Sequence, residues 1–287
     1  MSEKPAPFIV GIGRSGTTLL RLMLDAHRDL AIPGETHFLL PLARERVRPR
    51  SPEEFVALAT QSQSWDNLTI SAESFAAIVD TVQPFTVAGG VRAFYRLYAA
   101  RRGKNRWGDK TGVYLRAMDG IEKLLPEAHF LHLIRDGRDN ALSFQGLWFG
   151  PGDDIEEQAR FWVDGIRQAR ALGETLKHYK EVRFEALVTS PRETLNDICG
   201  WLKLKFDPAM LAHETAAAER LAEYRKPFGS SESTPADMET FRAIYSRAAS
   251  PTDPARVARW KSEMKPDDRK RYEAIARPLL AELGYET

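Results

Sequence analysis

The sequence has a single cysteine in 287 residues and no long hydrophobic run. Cys199 therefore forms no internal disulfide and no zinc site with cysteine ligands, and we expect it to be a buried apolar residue of a helix in a reducing compartment. No segment has the roughly 20 apolar residues of a membrane helix. The apolar run near the N-terminus is too short for a signal peptide. These absences predict a cytoplasmic protein without a membrane partner.

The sequence also lacks an excess of charge of one sign. Its 41 Lys and Arg nearly balance 40 Asp and Glu, giving a formal net charge of +1. Nucleic-acid-binding proteins usually carry a basic excess, so we expect no nucleic-acid partner and only local recognition of anions. With 43% hydrophobic and 28% charged residues, the composition excludes disordered, collagen-like and coiled-coil proteins.

Short apolar segments that alternate with helical patterns predict an α/β domain with a mostly parallel sheet. Buried strands are predicted at residues 8–11 and 130–134, with a weaker strand at 182–184. The predicted helices begin near Thr17, Pro52, Ser71 and Asn140, and two more span residues 191–202 and 267–283. We expect one domain, residues 1–287, with a helical insertion at about 40–101 and a lid-like segment at about 205–254. The part of that segment from Gly229 onward is predicted to be a loop.

The most informative motif is residues 11–18, of sequence GIGRSGTT, between a predicted strand and a predicted helix. Backbone N–H groups at a helix N-terminus bind anions in this position. Gly11 and Gly16 have the spacing of the nucleotide-binding pattern G-x-x-x-x-G-K-[ST], but Thr17 replaces its lysine. Arg14 places a cation on the loop instead. This arrangement suits the 5′ group of a nucleotide that is held without an obligatory Mg²⁺. The alternative is an ordinary glycine-rich turn.

A second candidate anion site follows the strand at 130–134. Arg135 comes directly after the strand, and Ser143 lies eight residues later on the predicted helix. A guanidinium and a hydroxyl in this arrangement can hold a phosphate. The alternative is a solvated, salt-bridged turn of Arg135, Asp136, Arg138 and Asp139. We expect Arg138 to be structural. Two phosphate sites at adjacent strand ends suit a bisphosphorylated nucleotide.

No metal site is predicted. His129 and His132 form an H-x-x-H pattern, but residues three apart on a strand point to opposite faces of the sheet. We therefore expect both histidines to be structural.

The motifs resemble those of the sulfotransferases that use 3′-phosphoadenosine 5′-phosphosulfate (PAPS), and within them the tyrosylprotein sulfotransferases and their bacterial relatives. The residues that carry the resemblance are 13–19 (GRSGTTL), 24–27 (LDAH), 34–36 (GET), 109–110 (DK), 133–138 (LIRDGR), 182–188 (VRFEALV), 259–260 (RW) and 283–285 (LGY). They span nearly the whole chain in the family's order. The resemblance implies a P-loop-like three-layer sandwich, with helices on both sides of the sheet.

The resemblance also implies positions for the PAPS-binding residues. Those of the 5′-phosphosulfate loop are Gly13, Arg14, Ser15, Gly16, Thr17 and Thr18. Arg135 and Ser143 correspond to the 3′-phosphate site, Phe184 to the residue that covers the adenine, and Arg259 to a late basic residue that closes over the cofactor. The sequence departs from the family at Leu147, where an arginine is typical, and at Phe184, which is usually tyrosine.

Sulfuryl transfer needs a base for the acceptor's proton, in-line geometry and cations that stabilise the leaving group. The resemblance implies that Glu35 is the base, that Lys110 contacts the sulfuryl group beside a structural Asp109, and that Arg14 is a second cation. His37 is the rival base, at a position where the family typically has arginine.

The expected activity is thus transfer from PAPS to a hydroxyl of a small molecule or peptide, such as a tyrosine, phenol, sugar or other alcohol, with no metal required. One alternative is a P-loop kinase or another nucleotide-binding protein, which Thr17 at the lysine position disfavours. Another is an inactive module that binds 3′-phosphoadenosine 5′-phosphate (PAP), which the presence of Glu35 and Lys110 disfavours. The sequence leaves the acceptor's identity open, and a homodimer also remains open.

Overall fold

The computed structural model describes residues 3–147, 149–223, 239, 243 and 245–287. The strands are β1 (Ala6–Val10), β2 (Leu30–Ala31), β3 (Arg106–Trp107), β4 (Asp109–Lys110), β5 (Ala128–Ile134) and β6 (Tyr179–Arg183). The first α-helices are α1 (Thr17–Asp25), α2 (Leu39–Ala43), α3 (Pro52–Thr60), α4 (Ala72–Val79), α5 (Val87–Ala100), α6 (Met118–Leu124) and α7 (Gly137–Phe144). They are followed by α8 (Ile155–Gly173), α9 (Phe184–Thr189), α10 (Pro191–Trp201), α11 (Glu214–Leu221), α12 (Trp260–Glu263) and α13 (Pro266–Glu282).

The central sheet has the strand order β4-β1-β5-β6, and all its neighbouring strands are parallel. Phe8 of β1 pairs with Phe130 of β5 on one side and with Asp109 of β4 on the other. β2 and β3 form a separate two-stranded parallel sheet. β1 and β5 are buried along their whole length, as strands covered on both faces of a sheet must be.

The two faces of the sheet belong to different hydrophobic cores, because successive residues of a strand point to opposite sides. Phe8 and Phe130 pack in a core that includes residues of α5, α8 and α13. Ile9 and Leu131 pack in the other core, with residues of α1, α9 and α10. Helices therefore cover both faces, and the predicted three-layer α/β sandwich is confirmed.

Several predicted elements are confirmed with small shifts of their ends. Ser51 and Ser71 cap α3 and α4 by accepting hydrogen bonds from the backbone N–H groups of Glu54 (3.3 Å) and Ser74 (3.2 Å). The helix expected near residue 140 begins earlier, at Gly137, because Asp136 accepts a hydrogen bond from the N–H of Arg138 at 2.9 Å. Phe184, expected in a strand, is the first residue of α9.

Two regions differ from the expected pattern. The sequence analysis did not identify α8, whose N-terminus is capped by Asp154 through hydrogen bonds from two backbone N–H groups, both at 2.9 Å. The described start of the 205–254 segment is helical, with a 3₁₀ turn at Pro208–Ala212 followed by α11. Most of the loop expected from Gly229 lies outside the described residues, so the lid stays a prediction. The single-domain organisation also stays a prediction.

Buried polar and sulfur-containing side chains have structural partners. Cys199 is buried in α10 with its Sγ 3.9 Å from Met210 Sδ, and burial raises the pKa of its thiol to about 11. His129 stacks on His178 at 3.9 Å, and His132 Nδ1 hydrogen-bonds with the Tyr179 hydroxyl at 2.6 Å. Within the described ranges, no helix combines the length and apolarity needed to cross a membrane.

Arg138 lies in a buried ionic cluster at the start of α7. Its fully buried side chain pairs with Asp136 at 2.8 Å and with Glu273 of α13 at 2.7 Å. Its guanidinium lies 3.5 Å from the ring centroid of Trp260. Arg138 therefore ties α7 to the C-terminal helices and is not part of a solvated turn.

Removal of this cation should destabilise the fold. In Arg138→Ala, Asp136 and Glu273 remain partly buried without their shared partner, so we expect the free energy of unfolding to fall by about 3–5 kcal/mol. The control Arg160→Ala removes an exposed pair with Glu156 and should stay within about 1 kcal/mol of wild type. Urea unfolding of both variants measures the difference, and equal effects would contradict a structural role for Arg138.

Candidate active site

The loop of residues 11–18 joins β1 to α1 at the carboxyl end of the sheet. Gly16 is the N-cap of α1 with φ 94°, and a Cβ there would lie 2.5 Å from the Phe184 ring, so only glycine fits. Arg14 also has a positive φ, of 68°. Among the described residues, no side chain caps the N-terminus of α1, which leaves its first N–H groups for an anion.

Side chains of α7 hold this loop in place. Asn140 Nδ2 donates a hydrogen bond to the Gly13 carbonyl at 2.9 Å. Arg14 Nε donates to Ser143, at 3.1 Å to Oγ and 3.2 Å to the backbone oxygen. Arg135, just before α7, donates to the Arg14 carbonyl at 3.3 Å. The loop and the segment after β5 are thus one connected unit.

A cavity of about 370 Å³ opens beside this unit. It is lined by Arg14, Gly16, Thr17, Thr18, Leu19, Arg135, Ser143, Phe184, Val188, Arg247, Ala248, Ser250, Pro251, Thr252, Asp253 and Arg256. We call it the arginine cavity. It brings together most of the residues that the sequence assigned to cofactor binding. Gly13 and Ser15 do not line it but belong to the same loop.

Positive charge is concentrated in the arginine cavity. Burial, and next the charge of Arg135, lower the pKa of Arg14 to about 10, with further contributions from Arg247 and Arg256. Burial also lowers the pKa of Arg135. Its guanidinium lies 4.5 Å from the centroid of the Phe184 ring. Four guanidinium groups around one cavity repel one another, and a bound anion would relieve that repulsion.

Arg259 does not line the arginine cavity. Its Nε donates to Glu263 at 2.8 Å, one turn along α12. The preceding segment is fixed by Asp139, which accepts hydrogen bonds from the N–H groups of Ala258 and Trp260, both at 2.9 Å. The residue that reaches the cavity is Arg256, three positions earlier. The role expected of Arg259 stays a prediction.

A second cavity, of about 460 Å³, lies on the other side of the loop. It is lined by Gly11, Ile12, Gly13, Arg14, Thr17, Thr18, Glu35, His37, Gln63, Gly112, Val113, Leu115, Arg116, Phe149, Phe161, Gly165 and Tyr245. We call it the Glu35 cavity. Arg14, Thr17 and Thr18 line both cavities, so the two spaces meet at the loop.

Glu35 lies between Lys110 and His37. Lys110 Nζ donates to its Oε1 at 2.8 Å, and His37 Nε2 lies 3.2 Å from its Oε2. Lys110 is fully buried on β4, where it pairs in register with Ile9 of β1. Burial alone would raise the pKa of Glu35, but Lys110 and His37 outweigh it and lower the value to about 2. Glu35 is therefore an ionised carboxylate at neutral pH.

A buried polar network positions Glu35. Thr36, its neighbour, donates to Asp109 at 2.8 Å, and Asp109 also accepts from the Tyr95 hydroxyl at 2.8 Å. Burial raises the pKa of Asp109 to about 6 despite these hydrogen bonds. Asp109 is thus a buried structural partner rather than half of a surface pair.

The backbone at His37 is strained. Its φ is 56°, and the Phe38 N–H donates to the Thr36 carbonyl at 2.6 Å across it, as in a γ-turn. Strain of this kind persists where the surrounding structure fixes it, often at functional sites. The turn places Glu35 and His37 on the same cavity.

Sequence reasoning missed the residues that the C-terminal part of the chain brings to the site. Arg247 and Arg256 enter the arginine cavity, and Tyr245 enters the Glu35 cavity. No sequence pattern marked Arg247 or Tyr245. Phe161 and Gly165 were missed because α8 itself was missed. Across the part of the chain that the structure describes, no group of three or more His, Cys, Asp or Glu could hold a metal ion.

Residues 5–208 match the model of the sulfotransferase family. The nodulation protein NoeE of Sinorhizobium fredii is 28% identical, over 97% of this chain and 65% of that protein. Protein-tyrosine sulfotransferase 1 of Danio rerio is 25% identical, over 99% of this chain and 73% of that protein.

Solved structures of sulfotransferase domains have a fold similar to that of this chain. The sulfotransferase domain of the Synechococcus PCC 7002 olefin synthase covers 100% of this chain and 97% of its own, with a TM-score of 0.59 at 24% identity. A sulfotransferase domain from the curacin biosynthetic pathway covers 100% and 99%, with a TM-score of 0.60 at 18% identity. The resemblance stated from the sequence is confirmed, and the chain belongs to the sulfotransferase family.

Proposed function

We propose that the protein transfers the sulfuryl group of PAPS to an acceptor hydroxyl. The observation that carries this proposal is the meeting of the two cavities at Arg14, Thr17 and Thr18. A cationic space on one side of the loop suits the nucleotide, and a space with an ionised carboxylate on the other suits a hydroxyl that must lose its proton. Donor and acceptor bound in this way would face each other across the loop.

The residues of the arginine cavity fit PAPS. The free N–H groups at the start of α1, with Arg14, would hold the 5′ side of the nucleotide. Arg135 and Ser143 would hold its 3′-phosphate, and Arg256 would take over the contact that Leu147 cannot make. Arg135 Nε is a buried donor without a hydrogen-bond partner among the described residues, which supports this assignment. PAPS would supply an activated sulfuryl group. Phe184 would face the adenine of PAPS.

Glu35 is the proposed base. Its carboxylate is ionised, faces the acceptor cavity and can accept a proton from a hydroxyl in hydrogen-bond reach. Lys110 holds that carboxylate in the resting site and, with Arg14, would stabilise negative charge at the transferring group. The low pKa makes Glu35 a weak base while Lys110 is bound to it, so we propose that Lys110 shifts toward the sulfuryl group during transfer. His37 remains the rival base because it faces the same cavity.

A kinase or an inactive PAP-binding module is less well supported. Thr17 stands where a kinase loop has its lysine, whereas Lys110 and Glu35 form a pair that a module without chemistry does not need. The acceptor is a hydroxyl compound in this proposal. Cytoplasmic location and a homodimer stay predictions.

Nucleotide binding should depend on the 3′-phosphate. We expect PAP to raise the melting temperature markedly, since a ligand at a hundredfold excess over its Kd stabilises the native state by about 2.7 kcal/mol. Adenosine 5′-monophosphate, which lacks only the 3′-phosphate, and ATP with Mg²⁺ should do so weakly. Arg135→Ala should remove the preference for PAP over the monophosphate. Equal shifts by PAP and the monophosphate on the wild type would refute the 3′-phosphate site.

Removal of the base should abolish turnover without loss of nucleotide binding. Glu35→Gln keeps the size of the side chain but cannot accept the proton, so we expect kcat to fall about 10²–10⁴-fold while the Kd for PAP stays the same. His37→Ala, the matched variant on the same cavity, should lose less. If His37→Ala is inactive and Glu35→Gln keeps activity within a few-fold of wild type, the two roles are reversed.

The pH profile should change when Lys110 is removed. Lys110→Met takes away the main charge that lowers the pKa of Glu35, while burial, which raises that pKa, remains, so the pKa should rise from about 2. Because the base acts only when ionised, the acidic limb of kcat/KM should move upward in pH. The residual activity of the variant, measured between pH 4 and 9, shows the shift. An acidic limb that stays where it is in the wild type would mean that Glu35 is not the base.

A further inference from the structure

We propose that the Glu35 cavity takes an uncharged small molecule whose hydroxyl is carried by an apolar, ring-sized body, and that Gly165 sets the depth of the space for that body. This inference rests on the proposed function, because it names the acceptor class of the same site. It concerns the apolar side chains that line this cavity, to which the proposed transfer reaction assigns no role.

The walls of the cavity are mostly hydrocarbon. Ile12 and Leu115 contribute aliphatic surface, and Phe149 and Phe161 contribute aromatic rings. Both rings pack edge-on against Phe144, at centroid distances of 6.2 Å and 6.0 Å, which fixes their orientation. A cavity of about 460 Å³ lined in this way has the size and character of a small-molecule site.

We call the part of the cavity at Glu35 its polar end; Gln63, Arg116 and Tyr245 add further polar atoms to the lining. Glu35 and His37 lie on the turn before α2, next to Arg14 of the loop. Among the described lining residues Glu35 is the only carboxylate, and exposed Arg116 is the one cation away from the loop. Away from the loop, an acidic peptide would have one described arginine, Arg116, to pair with. An apolar molecule would instead bury its body against the walls and leave only its hydroxyl at the polar end.

Gly165 of α8 forms part of the apolar wall. A Cβ at this position would lie 2.8 Å from Ile12 Cδ1 and 3.1 Å from Ile12 Cγ1. A side chain there would displace the end of the Ile12 side chain, which lines the same cavity. We therefore infer that the size of residue 165 limits the size of the acceptor.

The test measures binding to the protein saturated with PAP, so that turnover is not required. The probes are 2-naphthol, a tyrosine peptide rich in aspartate and glutamate, and glucose. We expect 2-naphthol to bind at least about tenfold more tightly than the other two. Tighter binding of the peptide or of glucose would overturn the proposal, and so would the failure of all three to bind while PAP binds. Failure of PAP itself would instead refute the proposed function.

Variants test the role of Gly165. Gly165→Leu should weaken 2-naphthol binding at least about tenfold in protein that still binds PAP. PAP binding is measured on the same variant because Ile12 belongs to the loop of residues 11–18. The control Gly200→Leu makes the same change on α10, where a Cβ meets nothing within 4 Å, and should alter neither ligand. Phe161→Ala removes part of the same wall without adding bulk and should also weaken 2-naphthol. Unchanged 2-naphthol binding in Gly165→Leu and Phe161→Ala, with PAP still bound, would overturn the proposal.

Discussion

Repulsion between buried positive charges is the constraint around which the site is built. Arg14 and Arg135 lie side by side at the carboxyl ends of β1 and β5, and Arg247 and Arg256 add to the same field. Cations out of water are costly unless hydrogen bonds and anions compensate them. Ser143, the carbonyls of Arg14 and Arg256, and the carboxylate of Asp139, 3.8 Å from Arg135, supply part of that compensation. The remainder is what an anionic nucleotide would provide.

The parallel sheet brings the second half of the site to the same edge. β4, which carries Lys110, lies on one side of β1, the strand that leads into the loop. β5, which is followed by Arg135, lies on the other side of β1. Ligands bind at the carboxyl ends of such strands because the loops there diverge. The Lys110–Glu35 pair thus lies next to the loop without being part of it, and the loop separates a cationic space from one that holds a carboxylate.

Much of the fold and of the site was predictable from local sequence patterns. The strand-loop-helix at residues 11–18 and the arginine after β5 are encoded by neighbouring residues, and so are the serine caps of α3 and α4. Contacts made by distant segments were not predictable. Arg247, Arg256 and Tyr245 reach the cavities through the path of the C-terminal chain, which no short pattern specifies. The resemblance favoured Arg259, but Asp139 anchors the segment so that Arg256 lines the cavity instead.

A crystal structure of the PAP complex tests the division into a nucleotide space and an acceptor space most directly. The account predicts PAP in the arginine cavity, with its 5′-phosphate on the N–H groups of the loop, its 3′-phosphate on Arg135, and the Glu35 cavity still open. PAP in the Glu35 cavity, or a 3′-phosphate that contacts neither Arg135 nor Arg256, would contradict it.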